Sequence, residues 1–262
     1  MADVALVSVV HDPDCRLLRA MGDALPALLS FHRGAYVVLS TQTNRTVEDA
    51  LRRLGVDTER EPRPGVGASR RQALAMARRA GHKYCHYSDL DRALHWARAY
   101  PAELAATLER IPSSDLLIIG RTARAFASHP WSMTETESLA NHVFALAYGR
   151  LWDLCAAARG LSATMVDVIL RESRVLGVGS EGEWPALALS RPGLVVDYVE
   201  VEGMEYETAD RYPEEVMAAG GLEAWLRAES RLPANWLRRL AFAYAIARAA
   251  LHPGEAGEIH IY

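Results

Sequence analysis

Short apolar runs alternate along this chain with longer stretches in which apolar and polar residues mix at helical spacing. Runs without a helical period that are rich in β-branched or aromatic residues predict buried strands. Five such runs are Val4–Val10, Ala35–Ser40, Tyr84–Ser88, Asp115–Gly120 and Val195–Val201. Because strands that alternate with helices build parallel sheets, the pattern predicts a mainly parallel, doubly wound α/β fold.

Helices are predicted between and after these strands. Asp14 is an N-cap candidate for a helix over Arg16–Leu29, and Thr46 for one over Val47–Leu54. Thr134–Glu137 has the capping-box spacing for a long helix that reaches about Arg159. The other predicted helices are Ala68–Ala80, Pro101–Arg110, Ala163–Leu176 and two within Leu222–Leu251 that separate near Pro233.

The segments between these helices and strands are short. Glu59–Gly67 is predicted to be a loop because it holds two prolines and two glycines. No internal repeat and no long linker divides the sequence. We therefore expect residues 1–210 to form one α/β domain, and residues 211–262 to form a helical extension that packs on it.

Composition narrows the class of protein. Of the 262 residues, 50% are hydrophobic and 24% are charged, which is ordinary for a soluble globular protein. The net charge of -4 gives no reason to expect nucleic acid as a partner. Three widely spaced cysteines without metal-ligand spacing, and a start without a basic segment, predict a cytoplasmic protein. No run of 18 uncharged apolar residues is present, so no membrane span is expected.

The basic residues are almost all arginine. Lys83 is the single lysine, so the other 28 of the 29 basic residues are arginine. Arginine does not readily lose its proton, so Schiff-base or lysine-base chemistry would depend on Lys83 alone. Arginine is, however, well suited to hold phosphate groups through two hydrogen bonds.

Two acids follow the third predicted strand. Asp89 and Asp91 stand at i and i+2, so they can point to one place at the carboxyl end of that strand. Open α/β sheets bind ligands at this edge. Hard oxygen ligands suit Mg²⁺ or Mn²⁺, usually shared with a phosphate-bearing substrate. The plainer alternative is that Asp91 caps the next helix while Asp89 is solvated beside it.

A second motif lies upstream of the acids. Gly65 and Gly67 precede a predicted helix whose first turn carries Arg70 and Arg71. Glycines allow close backbone approach, and free N–H groups at a helix start attract an anion. These residues therefore predict an anion site, with a flexible loop and solvated arginines as the alternative.

In this order the motifs resemble the GT-A glycosyltransferases. A first strand that ends in a Pro-containing turn, a Gly-x-Ala-x-Arg-like helix start and a strand that ends in Asp-X-Asp carry the resemblance. It is similar to the group with polyprenyl-phosphate sugar transferases and polysaccharide-building enzymes, and it covers roughly the first 200 residues. The resemblance implies a Rossmann-related, mainly parallel sheet flanked by helices, with further helices at the carboxyl end.

The resemblance also implies roles for individual residues. Asp89 and Asp91 would hold Mg²⁺ or Mn²⁺ against the diphosphate of a UDP- or GDP-linked sugar. Arg70 or Arg71 would contact the nucleotide, with Gly67 and Asp12 at the same site. The sugar would pass to a hydroxyl acceptor. The second strand departs from the family, because Ser40-Thr41-Gln42 stands where members commonly carry an acid for uracil or ribose.

Inverting members of this family use a downstream acid as the base that deprotonates the acceptor. The matching region is Gly179–Pro185, and Glu183 lies 92 residues after Asp91 (183 minus 91). Glu183 is therefore the first candidate for the base, Glu181 the second and Asp167 a minor one. A solvated acidic loop is the alternative.

Other residues and activities are weaker candidates. His129, His252 and His260 are considered as further metal ligands, although a lone histidine is usually neither ligand nor catalyst. The basic, aromatic carboxyl-terminal helices are expected to pack on the parent domain, with peripheral membrane contact or a homodimer as alternatives. A nucleotidyltransferase or a non-catalytic nucleotide-sugar-binding relative stays open. A haloacid dehalogenase-type phosphatase is disfavoured because Arg92-Ala93 follows the acids.

Overall fold

The computed structural model describes residues 3–61 and 65–255, and within them seven strands form one sheet. The strands are β1 (Val4–Val10), β2 (Ala35–Leu39), β3 (Asp57–Arg60), β4 (Tyr84–Ser88), β5 (Leu116–Arg121), β6 (Ala158–Ser162) and β7 (Val196–Val201). Their order is β3-β2-β1-β4-β6-β5-β7. β6 runs antiparallel to β4 and β5, and the other pairs are parallel. The predicted mainly parallel α/β sheet is confirmed.

Helices connect the strands and continue beyond them. The first nine are α1 (Leu17–Met21), α2 (Ala24–Ser30), α3 (Arg45–Arg53), α4 (Val66–Arg79), α5 (Leu90–Ala99), α6 (Pro101–Arg110), α7 (Ala123–Ala127), α8 (Trp131–Tyr148) and α9 (Ala163–Glu172). The remaining four are α10 (Ser180–Leu189), α11 (Pro213–Ala218), α12 (Leu222–Ser230) and α13 (Pro233–Leu251). Short 3₁₀ turns span Ile111–Ser113 and Glu207–Arg211.

The sheet is buried on both faces, because strand residues alternate between two apolar layers. On one face, Val4 and Leu6 pack with α1, α2, α3, α5 and α6. On the other, Ala5 and Val7 pack with α4, α9 and α10. Every residue of β2 and β5 is buried, which explains why these strands read as continuous apolar runs.

Two sequence predictions and one alternative about these elements are wrong. Asp57–Arg60 is a strand, although the Pro- and Gly-containing segment from Glu59 was predicted to be a loop. The long helix predicted to reach about Arg159 ends at Tyr148, where Gly149 adopts a left-handed conformation, and β6 follows. The solvated acidic loop that was the alternative for Gly179–Pro185 is not present, because Ser180–Leu189 forms α10.

The predicted caps also differ from the structure. The backbone N–H groups of Arg16 and Leu17 donate to the carboxylate of Asp12, not Asp14, at 3.0 and 2.8 Å. Asn44 caps α3 by accepting from the N–H of Thr46. Thr134 lies inside α8, which begins at Trp131. The cap residues were predicted from local spacing, whereas the observed ones follow from where each strand ends.

The carboxyl-terminal helices pack on the rest of the chain. α13 contacts α8 and α10, and Ala243 and Ile246 join Ala140 and Cys155 in a small apolar cluster. One side of α13 is therefore covered by α8 and α10. None of the helices in the described ranges combines the length and apolar character that crossing a bilayer requires.

Candidate active site

The carboxyl ends of the parallel strands meet at one edge of the sheet, and a cleft opens there. It has a volume of about 360 Å³ and lies between the ends of β1 and β2 and the start of α4. Its lining residues are Val9, Val10, His11, Val38, Ser40, Thr41, Gln42, Glu61, Gly65, Val66 and Ser69. β1 lies between β2 and β4, so the cleft is beside the point where the strand order reverses, the usual ligand site of open α/β sheets.

Asp89 follows β4, the strand that pairs with β1 on the side away from β2. Its backbone is extended and it precedes α5 as the N-cap residue, but its side chain makes no cap hydrogen bond. The carboxylate accepts a hydrogen bond from the hydroxyl of Tyr87 and lies 3.7 Å from Nη2 of Arg70. About a third of the side chain, 32%, is exposed. Asp89 is thus oriented by buried groups while it remains accessible to a ligand.

Asp91 lies in the first turn of α5. Its Oδ1 accepts from the N–H of Arg92 at 3.0 Å, and its Oδ2 is 3.1 Å from Nη1 of Arg211. Burial raises the pKa of this carboxyl to about 6, and the negative charges of Glu207 and Asp89 act in the same direction. Arg211 and Arg92 oppose this shift but do not cancel it.

This donor set fits a divalent cation. Two carboxylates supply hard oxygen ligands of the kind that Mg²⁺ and Mn²⁺ prefer, and a bound cation would favour the charged form of Asp91 against the burial and the neighbouring negative charges that raise its pKa. No group of three or more His, Cys, Asp or Glu side chains in residues 3–61 and 65–255 is arranged to hold a metal. The remaining ligand positions would fall to substrate oxygens or water.

Arg70 connects Asp89 to α10. Its guanidinium donates to the Tyr87 hydroxyl at 2.6 Å, to the Ser180 hydroxyl at 3.0 Å and to Glu181 Oε1 at 3.1 Å. The side chain is only 4% exposed. The negative charges of Asp89 and Glu181 raise the pKa of Arg70 in spite of burial, so the group stays charged. The structure thus brings Arg70, Asp89 and Glu181 together.

Glu181 and Glu183 have different surroundings. Burial raises the pKa of Glu181, with the nearby charge of Asp89 adding to the shift while Arg70 opposes it. Glu183 is fully buried, and its carboxylate accepts from the Ser173 hydroxyl and from the N–H groups of Arg174 and Gly254. None of these three partners lies at the strand ends, so the structure does not bring Glu183 to the acid pair.

Two N–H groups in the first turn of α4 already have a backbone partner. The N–H groups of Gly67 and Ala68 donate to the carbonyl of Leu176 at 2.7 and 3.1 Å. Arg71 donates to the Ser173 hydroxyl and to the carbonyl of Val175. Gly67 and Arg71, two of the residues predicted to contact the nucleotide, thus hold the 173–177 segment against α4.

Asp12 and Asp91 both face the guanidinium of Arg211. The carboxylate of Asp12 is buried, and its Oδ1 lies 3.6 Å from Nη2 of Arg211. Arg211 comes from the 3₁₀ turn that precedes α11, so a segment far along the chain reaches the ends of β1 and β4. Asp12 holds the start of α1 and this arginine, and it is not among the residues that line the cleft between β1, β2 and α4.

The sequence analysis missed several residues at this edge of the sheet and placed others in different surroundings from those observed. Glu61, Tyr87 and Arg211 were missed; the signal for Tyr87 was its place two residues before Asp89. Arg92 is buried and pairs with Glu207 at 3.2 Å. His129 is buried, with its Nδ1 at 3.0 Å from the carbonyl of Ala125.

The other histidine and acid candidates lie away from the acid pair. His252 is exposed beside Glu255, and Asp167 pairs with Arg78 at the surface. His260 lies outside the described residues.

Solved structures share this architecture. Glucosyl-3-phosphoglycerate synthase from Mycobacterium tuberculosis, with Mn²⁺, uridine diphosphate and phosphoglyceric acid, matches with a TM-score of 0.54 at 16% identity. The match covers 76% of this chain and 68% of that one. The same enzyme with uridine diphosphate matches at 17% identity with a TM-score of 0.54, over 76% and 69% of the two chains. The chain has a GT-A fold.

The GT-A fold confirms the fold class that the order of the motifs predicted. A further mycobacterial protein matches with a TM-score of 0.54 at 16% identity, over 76% of this chain and 65% of that one, slightly less than two thirds. No protein-family model and no curated protein matches the sequence. At these identities the fold is shared, and the reaction has to be argued from the residues of this chain.

Proposed function

We propose that this protein is a metal-dependent glycosyltransferase that moves a sugar from a nucleoside-diphosphate donor to a hydroxyl acceptor. The observation that carries the proposal is the placement of Asp89 and Asp91 beside a nucleotide-sized cleft at the strand-order reversal of a GT-A fold. The matched synthase structures, which are complexes with uridine diphosphate and Mn²⁺ or Mg²⁺, support a UDP-like donor and a divalent metal.

In this proposal the cleft holds the nucleoside, and Asp89 and Asp91 hold Mg²⁺ or Mn²⁺. The metal would neutralise the diphosphate and so make it a better leaving group. Arg70 acts through Asp89 and Tyr87, because its guanidinium is buried and reaches both. Arg70 is therefore a positioning residue, and Arg71 and Gly67 support the backbone around it.

For the base of an inverting reaction we propose Glu181 before Glu183. Glu181 shares Arg70 with Asp89, and burial raises its pKa, which favours a carboxylate that accepts a proton. Glu183 already accepts three hydrogen bonds from groups that are remote from the acid pair. The proposed order of the two candidates is thus the reverse of the order that sequence spacing gave.

The cellular location of the enzyme and the contacts of its last helix are also proposals. Cys15, Cys85 and Cys155 are unpaired, which supports a reducing, cytoplasmic location. Leu237, Leu240 and Tyr244 of α13 are exposed, and a peripheral membrane contact or a homodimer would use this face. Vesicle flotation and sedimentation equilibrium separate these two arrangements.

Titration calorimetry with UDP and GDP, each with and without Mn²⁺, tests the proposal. We expect at least one nucleotide to bind more tightly when Mn²⁺ is present. Asp91→Asn keeps the side-chain size and an acceptor for the N–H of Arg92 but removes the charge, so the metal-dependent part of the affinity should disappear. Asp49→Asn, the same change on the exposed face of α3, is the matched control and should bind like wild type.

Turnover is tested by the release of UDP or GDP from UDP- and GDP-linked sugars. Glu181→Gln should keep nucleotide binding and lose release. Metal-dependent binding without any release, across the donors tested, would favour the non-catalytic binding relative. No metal-dependent binding of either nucleotide would refute the proposed function.

A further inference from the structure

The carboxylate of Glu61 lines the cleft, and the sequence analysis did not identify it as a candidate site residue. It follows the last residue of β3 and lines the cleft together with Thr41 and Gln42 from the end of β2. Its Oε1 accepts from the N–H of Thr41 at 3.2 Å, and its Oε2 accepts from the Ser69 hydroxyl at 2.9 Å. The carboxylate is therefore held in one orientation by β2 on one side and α4 on the other.

Strand alternation separates Glu61 from the arginine beside it. Arg60 points to the α3 side, where it pairs with Glu48 at 2.7 Å and donates to the carbonyls of Ser40, Thr41 and Thr43. Glu61 points to the α4 side, as successive residues of a strand do. Arg60 thus fixes the loop after β2, and Glu61 is left to face the cleft.

Glu61 also differs from the other acid on its own face. Glu59 accepts from Gln72 at 2.7 Å and pairs with Arg79 at 2.7 Å, so its charge is offset within the protein. Within the described ranges no arginine, lysine or histidine pairs with Glu61, and both of its partners are neutral donors. A carboxylate oriented by neutral donors and open to a cleft retains strong acceptor capacity for a ligand N–H or O–H.

The place of Glu61 along the cleft indicates which part of a nucleotide it meets. Asp89 and Asp91 follow β4, whereas Glu61 lies at the ends of β2 and β3. With β1 between them, β2 and β4 are about 10 Å apart, twice the spacing of neighbouring strands. A diphosphate at the acid pair therefore directs the ribose over β1 and the base toward β2, Thr41 and Glu61.

We propose that Glu61 reads the nucleobase and selects donors whose base presents a ring N–H. Uracil and guanine carry such a donor at N3 or N1, and a carboxylate accepts from it. Cytosine and adenine present a ring nitrogen lone pair at the corresponding position, which a carboxylate repels. Glu61 thus supplies a carboxylate for the nucleobase, whereas the segment after the second strand, Ser40-Thr41-Gln42, contains no acid. The inference rests on the proposed function, since it assigns a part of the same nucleotide site.

Calorimetry with UDP, CDP, GDP and ADP in the presence of Mn²⁺ tests the inference. The comparison is made within each size class, UDP against CDP and GDP against ADP. Wild type should prefer the base with the ring N–H by at least about tenfold in at least one pair, the effect of one hydrogen bond to a charged group. Glu61→Gln, whose amide both donates and accepts, should bring that preference below about threefold.

Glu59→Gln is the matched control, because it removes the same charge from the same face of the same strand, outside the cleft. It should keep the wild-type preference. Circular dichroism and thermal unfolding of Glu61→Gln confirm that the variant is folded, since the amide oxygen can still accept from the N–H of Thr41.

The outcomes distinguish this inference from the proposed function. If wild type binds UDP or GDP but Glu61→Gln keeps the same preference, the inference is overturned and the proposed function stands. An equal loss of affinity for all four nucleotides would place Glu61 at the ribose hydroxyls and would also overturn base selection. If wild type binds none of the four, with or without Mn²⁺, both fall together.

Discussion

Glu183→Gln should destabilise the protein without removing nucleotide binding. Glu183 is fully buried, and its two oxygens have separate partners. Oε1 accepts from the N–H groups of Arg174 and Gly254 at 2.9 and 3.2 Å, and Oε2 accepts from the hydroxyl of Ser173. A glutamine can keep Oε1 in place, so the change acts mainly at Ser173.

The hydroxyl of Ser173 has little capacity for the new amide. Its oxygen already accepts from Nη1 of Arg71 at 3.1 Å and from Nε1 of Trp184 at 3.3 Å. The amide would add a third donor to two lone pairs, and the hydroxyl proton would lose its acceptor. One lost hydrogen bond to a charged group and one unsatisfied buried donor together cost about 2–4 kcal/mol. For a chain of this size that lowers the melting temperature by about 5–15 °C.

Urea unfolding and differential scanning calorimetry measure this cost, and calorimetric titration with UDP or GDP and Mn²⁺ shows whether binding is kept. Glu135→Gln, an identical change at an exposed position of α8, should alter the unfolding free energy by less than about 0.5 kcal/mol. A Glu183→Gln variant with wild-type stability that has lost donor turnover would refute the reasoning, and would return Glu183 to the role of base.

Three further predictions concern packing, pH and the metal. Gly67→Ala places a Cβ 2.6 Å from the carbonyl oxygen of Gly177 and should cost about 1–3 kcal/mol in urea unfolding, whereas Gly177→Ala, with open space around it, should cost little. Burial lowers the pKa of His32 to about 4, so the unfolded state binds the proton more readily, and the unfolding free energy should fall by about 3 kcal/mol between pH 6.5 and 4. In His32→Gln the unfolding free energy should change less with pH over this range, and an unchanged pH dependence would contradict the assignment of this effect to His32. Arg211→Gln removes the guanidinium that lies 3.1 Å from Asp91 and would compete with a metal ion for its carboxylate. In the absence of nucleotide, Mn²⁺ should therefore bind this variant about fivefold more tightly, as measured by electron paramagnetic resonance. An unchanged Mn²⁺ affinity would refute competition between Arg211 and the metal.

Much of the fold follows from local pattern. The five predicted strands are present, and in β1, β2 and β5 apolar residues that are buried on both sides of the sheet leave an almost uninterrupted signal. β3 and β6 escaped prediction for a different reason. Asp57–Arg60 is polar and lies at the edge of the sheet, and Ala158–Ser162 has arginine and glycine at its centre. Their pairing partners, not their own side chains, make them strands.

The parts of the candidate site were predictable to different degrees. The sequence located Asp89 and Asp91 because they directly follow a recognisable strand. Arg70 was predicted as a nucleotide contact but is buried behind Asp89, which depends on how α4 and α10 pack. Arg211 had no sequence signal, because it lies 120 residues after Asp91 and contacts it only in the folded chain.

By itself the sequence determined five of the seven described strands and placed the acid pair directly after one of them, because each of these features depends on residues close together in the chain. Only the tertiary structure gives Glu181 and Glu183 different surroundings. In a loop the two acids would be equivalent neighbours, but residues two apart on a helix point to nearly opposite sides. The formation of α10 therefore turns Glu181 toward Arg70 and Asp89, and buries Glu183 against Ser173.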